Sequence, residues 1–202
     1  MKRVIISNIT STTNKNYSKY TLDGRSVDGK AEFPINGILG ELIAKNDEVK
    51  FVLLASNEGE LDCKIDKFKM ENSELTRTIG ASVEYEIVRT DVTTSSESYS
   101  ESYRMMLMKI IDTLDRGAKL TIDMTAMPRL LMILLNNVMT YAENVLYMDI
   151  DHIFYGDIDK GVEGNIDIID IAPIYYLNNI ISNFYGDEKK SRDILERLMN
   201  LK

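Results

Sequence analysis

Short apolar runs bounded by polar loops alternate along this chain with segments of helical spacing. Val4-Ile5-Ile6 reads as a buried strand, and the SNITSTTNKN that follows it as a polar loop. Residues 17–27 alternate loosely around Asp23-Gly24, a hairpin turn signal. Phe33-Pro34 opens a predicted helix running through Ala44, with Pro34 in its first turn and Ile35, Ile38, Leu39 and Leu42 on one face. KFVLLA (50–55) is a second buried strand, and Ser56-Asn57-Glu58-Gly59 is its exit loop. Residues 60–80 are charged and weakly periodic and read as helical. Residues 83–89 alternate Val83, Tyr85 and Ile87 against Glu84, Glu86 and Val88, a strand with one more exposed face.

The second half continues the alternation. DVTTSSESYSES is a low-complexity loop whose serines and threonines suit a flexible, solvated connection that could also fold over a ligand. A helix is predicted over 103–114, through Met106, Leu107, Ile110, Ile111 and Leu114, with Arg116-Gly117 as its stop. LTIDMTAMPRLLMILL (120–135) is a strand ending at Asp123, a short turn, and a helix to about Glu143 with Arg129 in its first turn. VLYMDIDHIFYGD (145–157) alternates over an unusual length, 167–171 suits a last short strand, and 172–184 and 189–201 read as terminal helices. Strands alternating with helices predict an α/β fold, a Rossmann-like three-layer sandwich with a mostly parallel central sheet.

Composition narrows the setting. With 202 residues, 44% apolar and 28% charged, the chain can bury one substantial core and a small appendage. A net charge of -8 disfavours broad binding to duplex nucleic acid, which needs clustered Lys and Arg, yet leaves room for a local anion pocket of backbone amides and one or two basic side chains. Cys63 and His152 stand alone in their types, so disulfide frameworks, Cys/His zinc sites and Ser-His nucleophile pairs lack material, and a reducing cytoplasm is the expected compartment. The apolar run after Lys2-Arg3 is too short for a signal peptide, and the longest apolar run, 130–135, is too short to span a bilayer.

Candidate chemistry gathers at the strand exits. In the turn Thr125-Ala126-Met127-Pro128-Arg129, Thr125 can cap the helix or bind a ligand, Pro128 suits a first helical turn, and Arg129 can fork onto a phosphate. The competing reading makes Thr125 an N-cap only and Arg129 a surface ion-pair partner. Asn8, Ile9, Thr10, Ser11 and Thr12 after the first strand, and Ser56, Asn57 and Glu58 after the second, would line the same crevice at one sheet edge. Glycine-rich dinucleotide and P-loop motifs are absent. Asp123, Asp149 and Asp151 invite a Mg²⁺ site, but Asp149 and Asp151 fit better as solubilising charges on an edge strand. His152 points by strict alternation away from its aspartate neighbours, has no partner evident in sequence and reads as structural. Met105, Met106, Met108, Met127, Met132 and Met139 read as core filler, and the all-round apolar run 130–135 suggests burial against a second surface, such as a homodimer partner.

Five pieces in order carry a resemblance: IISNITST; YTLDGRSVDGKAEFPINGIL; FVLLASNE; LTIDMTAMPRLL; and IFYGDI followed by IDIIDIAPIYYLNNIISNF. Together they resemble the CRISPR-associated Rossmann-fold (CARF) family of type III CRISPR systems across almost the whole chain. The resemblance implies a homodimer that binds a cyclic oligoadenylate second messenger, cyclic tetra-adenylate first and cyclic hexa-adenylate next, across its two-fold axis. Asn8 to Thr13, Ser56 to Glu58 and Thr125 to Arg129 match the family's ligand-lining positions. Many relatives read Asp-x-Thr-His-Gly where this chain has Ala126 and Met127, so no role for that histidine carries over.

The implied organisation is a sensing domain over 1–185 and a helix, or a linker to a missing effector, over 186–202. No cofactor and no metal are expected. The leading reading is a CRISPR-associated antiviral sensor that regulates a fused or separate effector. One alternative is a metal-independent ring nuclease that cuts the cyclic ligand, for which Thr10, Ser11 and Arg129 are weak catalytic candidates and no general base is evident. The other is a generic nucleotide-binding regulatory domain.

Overall fold

The computed structural model describes residues 1–10, 19–27, 31–56, 61–90, 99–125, 127–157, 165–182 and 188–199. Two compact units emerge, Met1–Asp170 and Ile171–Lys202. The first is an α/β unit built on an eight-stranded, mostly parallel sheet.

The chain enters through β1 (Lys2–Ile9). The hairpin β2 (Lys19–Leu22) and β3 (Arg25–Val27) follows, turning at Asp23 (φ 50°) and Gly24 (φ 76°). Two successive residues at positive φ define the turn whose twist suits a tight hairpin, so Asp-Gly was a sound signal. The helix expected from Pro34 to Ala44 is instead two single turns, α1 (Pro34–Gly37) and α2 (Leu39–Leu42), broken at Ile38 (φ -111°, ψ 5°). Next come β4 (Glu48–Ala55), α3 (Leu61–Ile79), β5 (Ser82–Arg89) and α4 (Tyr99–Asp112). The unit finishes with β6 (Lys119–Asp123), α5 (Arg129–Asn144), β7 (Asp149–Asp157) and β8 (Asn165–Asp170). The second unit holds α6 (Ala172–Ser182) and α7 (Glu188–Met199).

Strand order is β3-β2-β8-β7-β6-β1-β4-β5, antiparallel only at the β2/β3 and β7/β8 pairs. Alternation along the central strands feeds two apolar layers. Ile5, Ile9, Phe51 and Leu53 join Phe33, Ile35, Ile38, Leu61 and Phe68 in one cluster. Val4, Ile6, Val52, Leu54 and Ile122 face the other way, toward the side of α4 and α5, and are also buried. No helix among the described residues is long and apolar enough to cross a membrane.

Three sequence expectations need correction. Residues 145–148 do not extend β7: α5 runs to Asn144, and the chain then turns through Tyr147 at φ 53° before pairing resumes at Asp149. β7 lies between β6 and β8 and is not an edge strand. Met105 and Met108 are about half exposed on the outer side of α4, whereas Met106, Met127 and Met139 are buried.

Candidate functional site

Leaving aside the β2–β3 hairpin, which follows β1 and lies at the far edge beyond β8, successive strands run outward from β1 to β4 and β5 and then resume at β6 on the opposite side of β1. The order of the parallel strands therefore diverges between β1 and β6. Such a divergence is the position at which doubly wound sheets bind ligands. Thr10, Ser56 and Thr125 stand at or just beyond the exits of β1, β4 and β6, so three of the predicted loops do start from neighbouring strands. Ser11, Thr12, Asn57, Glu58 and Ala126 lie outside the described residues.

The floor of this divergence is polar. Ser7 and Asp123 are register partners on β1 and β6, and the Ser7 hydroxyl donates to Asp123 Oδ2 at 2.9 Å. The Thr125 backbone N–H donates to Asp123 Oδ1 at 3.0 Å, folding the turn back over the strand end. Burial pushes the Asp123 carboxyl above its ordinary range, opposed by the Thr125 and Ser7 hydrogen-bonding groups that favour its anion. The Thr125 hydroxyl is close enough to contribute to that effect, yet it meets no partner at hydrogen-bonding geometry among the described residues. Asn8 Nδ2 is likewise buried and unpartnered among them. Such atoms are uncommon in folded proteins, since each forfeits its hydrogen bonds to water.

Other predicted residues are placed as follows. The Ile9 side chain is in the apolar core, so Ile9 offers only its backbone to the crevice. Met127 is buried, while Pro128 and Arg129 are exposed. Pro128 is the residue before α5 rather than part of its first turn, and neither it nor Thr125 caps the helix through a side chain. Arg129 opens α5 and forms no ion pair among the described residues.

Two basic residues at the exits escaped the sequence reading. Lys64, in the first turn of α3, donates from Nζ to the Thr10 carbonyl at 3.1 Å. Arg89, the last residue of β5, donates to the Ser56 carbonyl at 3.2 Å and pairs with Asp62. Their signal was positional: each sits at the end of its element that faces the strand exits.

The aspartates proposed as a Mg²⁺ set have other partners. Asp151 accepts from Arg3 Nη1 at 2.7 Å and from Lys119 Nζ at 2.7 Å, and Asp123 is held by Ser7 and Thr125. No cluster of three potential metal-ligating side chains occurs among the described residues. A recess of about 340 Å³ lies at the opposite edge of the sheet, beside the starts of β1, β4 and β5, and includes the paired Lys50 and Asp115. Its walls carry both signs of charge, and it shares no residue with the strand exits.

Neither protein-family models nor curated protein sequences give a match to this chain.

Proposed function

We propose that this chain is a sensor domain that binds a cyclic oligoadenylate, with cyclic tetra-adenylate preferred over cyclic hexa-adenylate, and passes the signal to an effector. The observation carrying this reading is the polar floor at the β1/β6 divergence. There the Ser7–Asp123–Thr125 network leaves the Thr125 hydroxyl and the Asn8 amide unpaired among the described residues. Hydrogen-bonding groups without protein partners suit a ligand rich in phosphate and base acceptors. Arg129, exposed and without an ion pair among the described residues, adds a cation available to a phosphate.

A homodimer belongs to the same proposal. A ring with an even number of repeats presents identical halves to identical subunits, so a two-fold axis through the ligand satisfies both. Exposed Met105 and Met108 on α4 and Ile133 on α5 supply apolar surface on helices that pack against each other.

Thermal-shift titration with cyclic tri-, tetra- and hexa-adenylate tests the reading. Stabilisation by cyclic tetra-adenylate is expected, and no response to any ring overturns it. Incubating the same ligands with the protein in EDTA, and searching for linear products with 2′,3′-cyclic phosphate ends, separates a sensor from a ring nuclease.

A further inference from the structure

Gly156 stands inside β7, and its backbone does not explain it. It has no positive φ, so its conformation is open to any residue. Glycine within a strand forgoes side-chain packing and costs backbone entropy, so its presence points to a close approach by something else. That neighbour is Thr125. A Cβ at Gly156 would fall 2.8 Å from both Cγ2 and Oγ1 of Thr125, and 3.1 Å from Ile166 Cδ1. Ile166 could yield with the end of a flexible side chain. Thr125 cannot easily do so: it is β-branched, 3% exposed, and its backbone N–H is tied to Asp123.

We propose that Gly156 is a positioning residue of the crevice, its missing side chain being the space in which Thr125 is held with its hydroxyl reserved for a hydrogen-bonding group of the bound nucleotide. This rests on the nucleotide-binding reading above and adds to it a wall on β7. The reserved hydroxyl is a loss to the free protein, because it is withdrawn from water without a partner among the described residues. Binding removes that loss. The site thus trades stability of the free chain for affinity, and the two effects should move in opposite directions when the hydroxyl is deleted.

Thr125→Val keeps the branched shape and deletes the hydroxyl. It is expected to leave the melting temperature of the free protein unchanged or raise it, while weakening cyclic tetra-adenylate binding about tenfold or more. A hydroxyl that merely served Asp123 would make the same substitution destabilising, and that result overturns the proposal. Gly156→Ala is expected to lower the melting temperature by several degrees and remove the ligand-induced shift. Adding Thr125→Ser to Gly156→Ala deletes one of the two atoms 2.8 Å from the new Cβ and leaves a hydroxyl free to rotate into the vacated position, so it should restore part of both the stability and the ligand response. Adding Thr125→Ala should restore stability alone. Equal rescue of binding by Ser and Ala overturns the role of the hydroxyl. If the wild-type protein responds to no cyclic adenylate, the functional reading fails first. If wild type and Thr125→Val respond equally, only the positioning proposal fails.

Discussion

Nδ1 of His152 lies 2.7 Å from Asp170 Oδ2, so the single histidine is paired across the β7/β8 boundary with the last residue of the first unit. Asp170 Oδ1 accepts the Ile153 N–H at 3.1 Å, and the Asp170 N–H donates to Asp23 Oδ1 in the β2–β3 turn at 3.0 Å. Asp170 therefore joins a central strand, through its carboxylate, to the hairpin, through its backbone N–H. Its Asp170 hydrogen bond raises the His152 pKa from the ordinary 6.5, against partial burial and with further help from Asp170 and Asp151 charges.

That direction fixes a pH dependence. A raised histidine pKa contributes stability that is fully present below the unfolded value near 6.5 and is lost as pH rises through the folded value. His152→Gln keeps a neutral donor and removes the titration. Urea unfolding should show wild type more stable than the variant at about pH 5.5, with the gap narrowing well above neutrality. A gap independent of pH would show that the His152 charge plays no part.

Arg3 binds two carboxylates at once, donating from Nε to Asp47 Oδ2 at 2.9 Å and from Nη1 to Asp151 Oδ2 at 2.7 Å. Burial raises both carboxyl pKa values, but the Ala44 amide, the N-terminal ammonium and Arg3 at Asp47, and Lys119 and Arg3 at Asp151, outweigh it and hold both below 3.8. Arg3→Met should destabilise by about 3 kcal/mol at neutral pH, the low end for removing one partner of a buried pair. Depressed carboxyl values give stability that is present above the unfolded value and lost as pH falls through the folded one. The deficit of Arg3→Met should therefore shrink below about pH 4 in acid-unfolding curves.

Elements whose cause is local were legible in the sequence, whereas those settled by distant contacts were not. Asp23-Gly24 announced its hairpin because both residues tolerate positive φ. The break at Ile38 was invisible, since apolar residues at 35, 38, 39 and 42 suit one helix or two single turns equally. His152 was misplaced by strict alternation: Leu120 pairs with Ile150 but Thr121 with His152, leaving Asp151 as an extra residue in the β7 ladder. That irregularity leaves His152 Nε2 3.9 Å from Asp151 instead of on the opposite face, and its true partner lies 18 residues away. At the crevice, the run from Asp123 to Arg129 was legible as a strand exit, but Ser7 and Gly156 acquire meaning only from the strand order that sets them beside it.

Gly37 and Gly24 should respond to alanine for different reasons. A Cβ at Gly37 would come within 2.4 Å of the Tyr20 ring, which is fully buried and fixed by its hydroxyl donating to the Ala31 carbonyl at 2.6 Å. Gly37→Ala should cost about 3 kcal/mol or more, the upper range for overpacking. Gly24 has open space around it but sits at φ +76°, so Gly24→Ala should cost only about 1 kcal/mol of backbone strain. Truncating Tyr20 to Leu should offset part of the Gly37→Ala penalty and none of the Gly24→Ala penalty in a double-mutant cycle.

Arg129 offers the cleanest separation of binding from folding. It is exposed and carries no ion pair among the described residues, so Arg129→Ala should alter stability by less than about 0.5 kcal/mol. As the cation at the β6 exit it should contribute a charge-assisted hydrogen bond to a bound phosphate, and its loss should weaken cyclic tetra-adenylate binding by roughly 1.5 to 3 kcal/mol in calorimetric titration. Arg129→Lys should recover part of that loss, because an ammonium retains the charge without the planar fork. Unchanged affinity in Arg129→Ala would leave the residue as surface charge and move phosphate recognition to Lys64 or to backbone amides.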